Sequence, residues 1–148
     1  MKIVRSILAI VLGTIVAMTT IMGIQGISSR IYPLADDVSA NDMKQLNELL
    51  PTMPIGAMLM VLLSWEAGAF AGGGMAALIA ASARCVHAGI IGGLVLVGTI
   101  GILWMMPAHP DWMKIAGLLL PLPVSLLAGK LVSMMLPVPP QPPAASYP

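Results

Sequence analysis

Glu66 interrupts a long apolar run, Ile55 to Ala83, and is the residue whose chemistry most needs explaining. If the run is a helix through lipid, the carboxyl sits roughly 16 Å along it, near the bilayer midplane. An ionised carboxylate at that depth costs at least ~2.5–3.5 kcal/mol, so it must face other helices, carry a proton or hold a partner. Acids in such places are candidates for proton or cation relays. Gln25 and Lys130 join it as the candidate intramembrane polar site. No second acid falls in any apolar run, however. Lys130 lies about 27 Å from the outer end of its helix, placed to snorkel to the opposite surface. The simpler expectation is a hydrogen bond from protonated Glu66 to Ser64, Gln25, Thr14 or a backbone carbonyl.

Other chemistries find less support. His87 and His109 invite a haem or metal reading, but 22 residues separate them. On one helix that is ~33 Å, so no single haem or metal uses both. Simple interfacial histidines are expected. The thirteen methionines, including Met105, Met106 and Met113 near His109, could be drawn as a soft copper site. Methionine is equally an apolar filler, and the filler reading is preferred. Cys85 beside Arg84 is placed for palmitoylation, although an inert thiol is the simpler reading. There is no HExxH, no paired carboxylates within a span and no serine–histidine–aspartate set at one depth. Gly72-Gly73-Gly74 lies mid-helix and is a packing feature, not a phosphate loop. The expectation is no enzyme, no cofactor and no metal.

The elements that position these residues follow from composition. The 148 residues are 58% hydrophobic and 9% charged, against about 25% charged in soluble domains. A net charge of +1 leaves no basic patch for nucleic acid. One cysteine allows no internal disulfide, so redox compartment is not readable. Four apolar runs are long enough to cross hydrocarbon. The spans are placed at about 3–27, 55–83, 86–106 and 112–136, forming one transmembrane domain over 1–136. The first begins after a basic start but exceeds the ~7–15 residues of a signal h-region, so a retained helix is expected. Pro121 and Pro123 leave the carbonyls of Gly117 and Leu119 without donors, which predicts a kink.

Orientation follows the basic residues. Lys2, Arg5 and Arg84 fall on one side with Lys130 near it, while the 28–54 loop carries two basic against four acidic residues. That places both termini in the cytoplasm, with Tyr32, Trp104 and Trp112 at the outer interface. In the outer loop, Ser39 and Asp42 resemble a capping box ahead of Met43, Leu46, Leu49 and Leu50 at helical spacing. A short amphipathic helix on the outer face is expected, as a connector first and as a lid or docking surface second. Residues 137–148 contain six prolines and no charge, a cytoplasmic tail. Gly68 and Gly72 in the second span and Gly89 and Gly93 in the third are small residues four apart. They predict a tight hairpin of these two helices, or a dimer face. The fold expected is therefore all-α, a membrane four-helix bundle with both termini inside.

Several stretches together carry a resemblance. These are Gln25 to Pro33 ending in Ile-Tyr-Pro, Trp65 to Gly73, and Pro107-Ala108-His109-Pro110-Asp111-Trp112. With the basic start, they resemble a broad set of small, uncharacterised bacterial inner-membrane proteins with four spans. The resemblance implies the architecture and a multi-pass place in the cytoplasmic membrane, but no activity. In those proteins an acid often stands where this chain has Gln25, and an uncharged residue is more usual at Glu66. The function expected is a non-catalytic structural or assembly component, with the bilayer, itself or another membrane protein as partner. The alternative is a small proton- or cation-coupled carrier or channel using Glu66.

Overall fold

A computed structural model describes residues 2–35, 38–39, 42–80 and 82–136. The proline-rich tail at 137–148 lies outside the described residues, as do Asp36 and Asp37 of the loop. The described chain is helical: α1 (Lys2–Ile31), α2 (Met43–Leu49), α3 (Ile55–Ile79), α4 (Arg84–Met105), α5 (Asp111–Leu119) and α6 (Pro121–Met135). A single 3-10 turn, Leu50–Thr52, joins α2 to α3. Four helical stretches are long and apolar enough to cross a membrane, with α5 and α6 together forming the fourth.

The helix limits depart from the sequence expectation in ways that side chains explain. α1 runs on to Ile31, not 27. Ser29 Oγ donates to the Gly26 carbonyl, and Tyr32 N–H to that of Ser28. Helix becomes unfavourable for Tyr32 because Pro33 follows it. α3 stops at Ile79 instead of 83, with Ala80 already extended (φ −59°, ψ 131°). The reversal into α4 places Ala83 in the left-handed region at φ 50°, a conformation strained for a residue bearing a Cβ. Arg84 is the first residue of α4.

The fourth span breaks where the prolines predict. α5 ends at Leu119 and α6 begins at Pro121, with Leu120 between them still helical in its torsions (φ −86°, ψ −35°). The break is a loss of hydrogen bonds more than of direction. In the loop helix, the capping box is corrected. Asp42 is itself the N-cap, its Oδ1 accepting from Lys44 N–H and Gln45 N–H. Gln45, at the third helical position, reaches back to accept from Ser39 N–H. None of α2's own residues is buried, so its apolar side is not packed into the bundle; the next residue, Leu50, is buried. Asn47 pins the segment by accepting from Ala108 N–H in the α4–α5 loop.

Small residues set the packing, but between other partners than the sequence predicts. The most extensive helix pair is α1 with α3, not α3 with α4. A Cβ on Gly72 would meet the Gly13 carbonyl at 2.5 Å, and one on Gly68 would meet Ile21 at 2.5 Å. Both glycines thus seat α3 on α1. Gly73 faces Ser125 of α6, and Gly92 faces Ser125 together with the Pro121 carbonyl. Gly89 meets only Leu126 of α6, while Gly93 meets nothing within 4 Å. α3 and α4 do pack on each other as expected, with α6 against both, but of the glycines marked in the sequence Gly68, Gly72 and Gly89 face α1 or α6 instead of that seam. In lipid such close approach supplies dispersion where the hydrophobic effect is absent. The core these contacts enclose contains Ala17, Met58, Trp65, Ala69, Ala76, Ile91, Val95 and Met113.

Candidate functional site

Glu66 sits on the edge of the α3 face that meets α5 and α6. Its preceding residue, Trp65, lies against Gly117 of α5, and Gly73, two turns further on, lies against Ser125 of α6. The carboxyl is therefore level with the α5–α6 break, where Pro121 and Pro123 contribute no N–H. On its other flank, Leu59, Leu63 and Phe70 occupy the same helix face and are all exposed. Both carboxyl oxygens are shielded and have no hydrogen-bond partner among the described residues.

This corrects the expected arrangement. Glu66 does not bond Ser64, Gln25 or Thr14. Ser64 donates to the Val61 carbonyl and accepts from Gln25 Nε2 at 3.3 Å. Thr14 donates to the Ile10 carbonyl. Lys130 is exposed and makes no ion pair; the one ion pair among the described residues is Lys114 with Asp111 at 3.2 Å. Of the candidate polar set, Gln25 is tied to α3 through Ser64, whereas Glu66 and Lys130 stand apart.

Both histidines are buried within the chain, one near each end of α4. His87 Nδ1 lies 3.1 Å from the Ala83 carbonyl, bracing the strained turn into α4. His109 Nδ1 lies 2.7 Å from the Met106 carbonyl, and its ring tilts against Trp65 with centroids 6.3 Å apart. His109 thus lies against a carbonyl at the C-terminal end of α4, where helical carbonyls lack partners of their own. No group of three or more histidine, cysteine or acidic residues is arranged to hold a metal among the described residues.

At the opposite end, two arginines close the bundle. Arg5 Nε donates to the Ile79 carbonyl at the end of α3, and Arg84 Nη1 to the Leu136 carbonyl beyond α6. Cations at helix C-termini are favoured by the unsatisfied carbonyls there. Cys85 is exposed beside this end.

Sequence reasoning missed Thr99. It is buried on α4, its Oγ1 has no partner among the described residues, and its methyl faces Gly117. It lines a cavity of about 310 Å³ between α1 and α4 together with Gln25 and Trp65. Its sequence signal is slight, a lone hydroxyl between Gly98 and Gly101. No protein family, curated protein or solved structure matches the chain.

Proposed function

We propose that this chain is a non-catalytic component of a larger assembly in a bacterial cytoplasmic membrane, oriented with both termini inside. The observation that carries the reading is the dry, unpartnered carboxyl of Glu66 beside the uncovered stripe Leu59, Leu63 and Phe70. Leaving a buried polar group unsatisfied costs about 1–3 kcal/mol, and no water is present in hydrocarbon to relieve it. A helix laid along this stripe, from another membrane protein or a second copy, gives the carboxyl a hydrogen-bond partner once the Glu66 side chain swings out from its shielded position to the neighbouring stripe. Gly68, Gly72, Gly73 and Gly92 already face α1 or α6 within the chain, and the contact proposed is made by this polar position in an apolar face. α2 then lies at the outer surface as a connector held by Asn47.

Purification in mild detergent, with identification of co-migrating membrane proteins, tests the reading. The native chain and Glu66→Gln, which keeps hydrogen-bonding capacity, retain a partner, and Glu66→Leu loses it. Migration of all three as the same lone monomer overturns it.

The same unpartnered carboxyl supports a second reading, a small proton- or cation-coupled carrier or channel. Proton or solute flux in reconstituted vesicles that disappears in Glu66→Gln favours the carrier; equal flux in both removes it. Glu66 is not among the residues lining the α1–α4 cavity, which favours the assembly reading.

A further inference from the structure

Two cations stand without a counter-anion where α4 and α6 meet, at the end of the bundle opposite α2. The helices are in close contact here: a Cβ on Gly129 would meet Ala88 Cβ at 2.6 Å and Cys85 Cα at 3.3 Å. Lys130, the next residue of α6, is exposed and makes no ion pair among the described residues. Arg84, one turn of α4 before Ala88, stretches across the end of α6, its Nη1 donating to the Leu136 carbonyl. Its Nη2 has no partner among the described residues and, unlike Nε, is not enclosed. Lys130 stands about 9 Å along the axis before Leu136, a depth from which its long stem carries the ammonium to the same surface.

The chain has nothing nearby to neutralise them. Among the described residues, Asp42, Glu48 and Asp111 belong to the other end of the bundle, and Glu66 lies in the middle of α3. Residues 137–148, which follow Leu136 directly, hold no charged side chain. The anion must come from outside. From the two cations a shallow apolar channel runs between α4 and α6 towards the middle of the bundle. Gly89 and Gly93 form its floor: a Cβ on Gly89 would touch only Leu126 of α6, and one on Gly93 nothing within 4 Å. Val86 and Ile90 on α4 and Leu126 on α6, all exposed, form its rims. Lys130 follows Leu126 by one turn on the same side of α6, so the channel leads to its ammonium.

We propose that this channel binds an anionic phospholipid of the leaflet at that end. Its phosphate sits between Lys130 and Arg84, and one acyl chain lies over Gly89 and Gly93. Charge complementarity selects the lipid, because two unneutralised cations meet the headgroup and an uncharged apolar channel meets the chain. A zwitterionic headgroup brings its own cation to the same place and gains less. The inference is independent of the assembly reading, because neither Glu66 nor its stripe takes part.

Native mass spectrometry of the full-length chain tests this, with titration in detergent by phosphatidylglycerol or by phosphatidylcholine of the same acyl chains. One phosphatidylglycerol is expected to bind, at least about fivefold more tightly than phosphatidylcholine. Lys130→Gln weakens phosphatidylglycerol about fivefold, the effect of one cation at an anionic lipid surface, and Lys130→Arg restores it. Arg30→Gln, which removes an exposed cation from the other end, changes nothing. Gly93→Leu, whose added atoms enter the open channel, weakens both lipids. Four results overturn the proposal: equal binding of the two lipids, a loss in Arg30→Gln as large as in Lys130→Gln, glycerol phosphate binding as tightly as the lipid, or a dimer that excludes lipid.

Discussion

At the scale of single residues, the chain carries few polar atoms into its apolar spans and leaves some of them unfinished. Glu66 is the clearest case, because its oxygens are shielded and yet unbonded among the described residues. In the isolated chain the carboxyl is a liability. Glu66→Leu is therefore expected to stabilise the purified monomer in detergent by about 1–3 kcal/mol, read from reversible unfolding. A loss of stability of that size would mean that the carboxyl already bonds within the chain. The Gln25–Ser64 bond is a contrasting, completed contact. Ser64→Ala should cost only ~0.6 kcal/mol, the average for interhelical bonds in lipid, measured by the same unfolding assay. The importance of Glu66 was legible in the sequence, since one acid in a long apolar run is conspicuous. Its lack of partners was not, because hydrogen bonding depends on helix rotation. Gln25, Ser64 and Thr14 were all plausible neighbours, and only the packing of α3 on α1 turned Gln25 to Ser64 and left Glu66 aside.

At the scale of elements, close packing is concentrated at particular glycines. A Cβ at Gly72 runs into the Gly13 backbone, which cannot move aside as a flexible side chain can. Gly72→Val should cost at least about 1–3 kcal/mol or abolish folding. Gly93→Val should leave stability nearly unchanged, because nothing lies within 4 Å. The pair is checked by thermal unfolding in detergent; equal effects would show that Gly72 is not at a helix contact. The sequence marked Gly68, Gly72, Gly89 and Gly93 alike, since spacing reveals a small face but not the neighbour it meets. The break in hydrogen bonding in the last span was legible, because proline removes an N–H wherever it falls. Helix ends were less so: Ala80 leaves the helix without any breaker, and the reason lies in the Ala83 turn and its His87 brace.

At the scale of the whole molecule, four apolar stretches long enough to span and a described surface rich in leucine, isoleucine and methionine fit a lipid environment. That much was legible from composition. The alternation of the helices places Arg5 with Ile79, and Arg84 with Leu136, at one end. Orientation is testable with the chain's single thiol. In intact cells Cys85 should resist a membrane-impermeant maleimide, while a cysteine at Asn47 in a Cys85→Ser background should react; the reverse pattern would invert the topology. The assembly reading rests on the stripe that Glu66 shares with Leu59, Leu63 and Phe70. Its most direct measurement is photocrosslinking in living bacteria from a benzophenone amino acid placed at Leu63, with Val97 of α4, also exposed, as control. A discrete adduct with a membrane protein is expected from Leu63, persisting in Glu66→Gln, vanishing in Glu66→Leu and absent from Val97. Lipid adducts alone, or the same products from both positions whatever residue stands at 66, would contradict it.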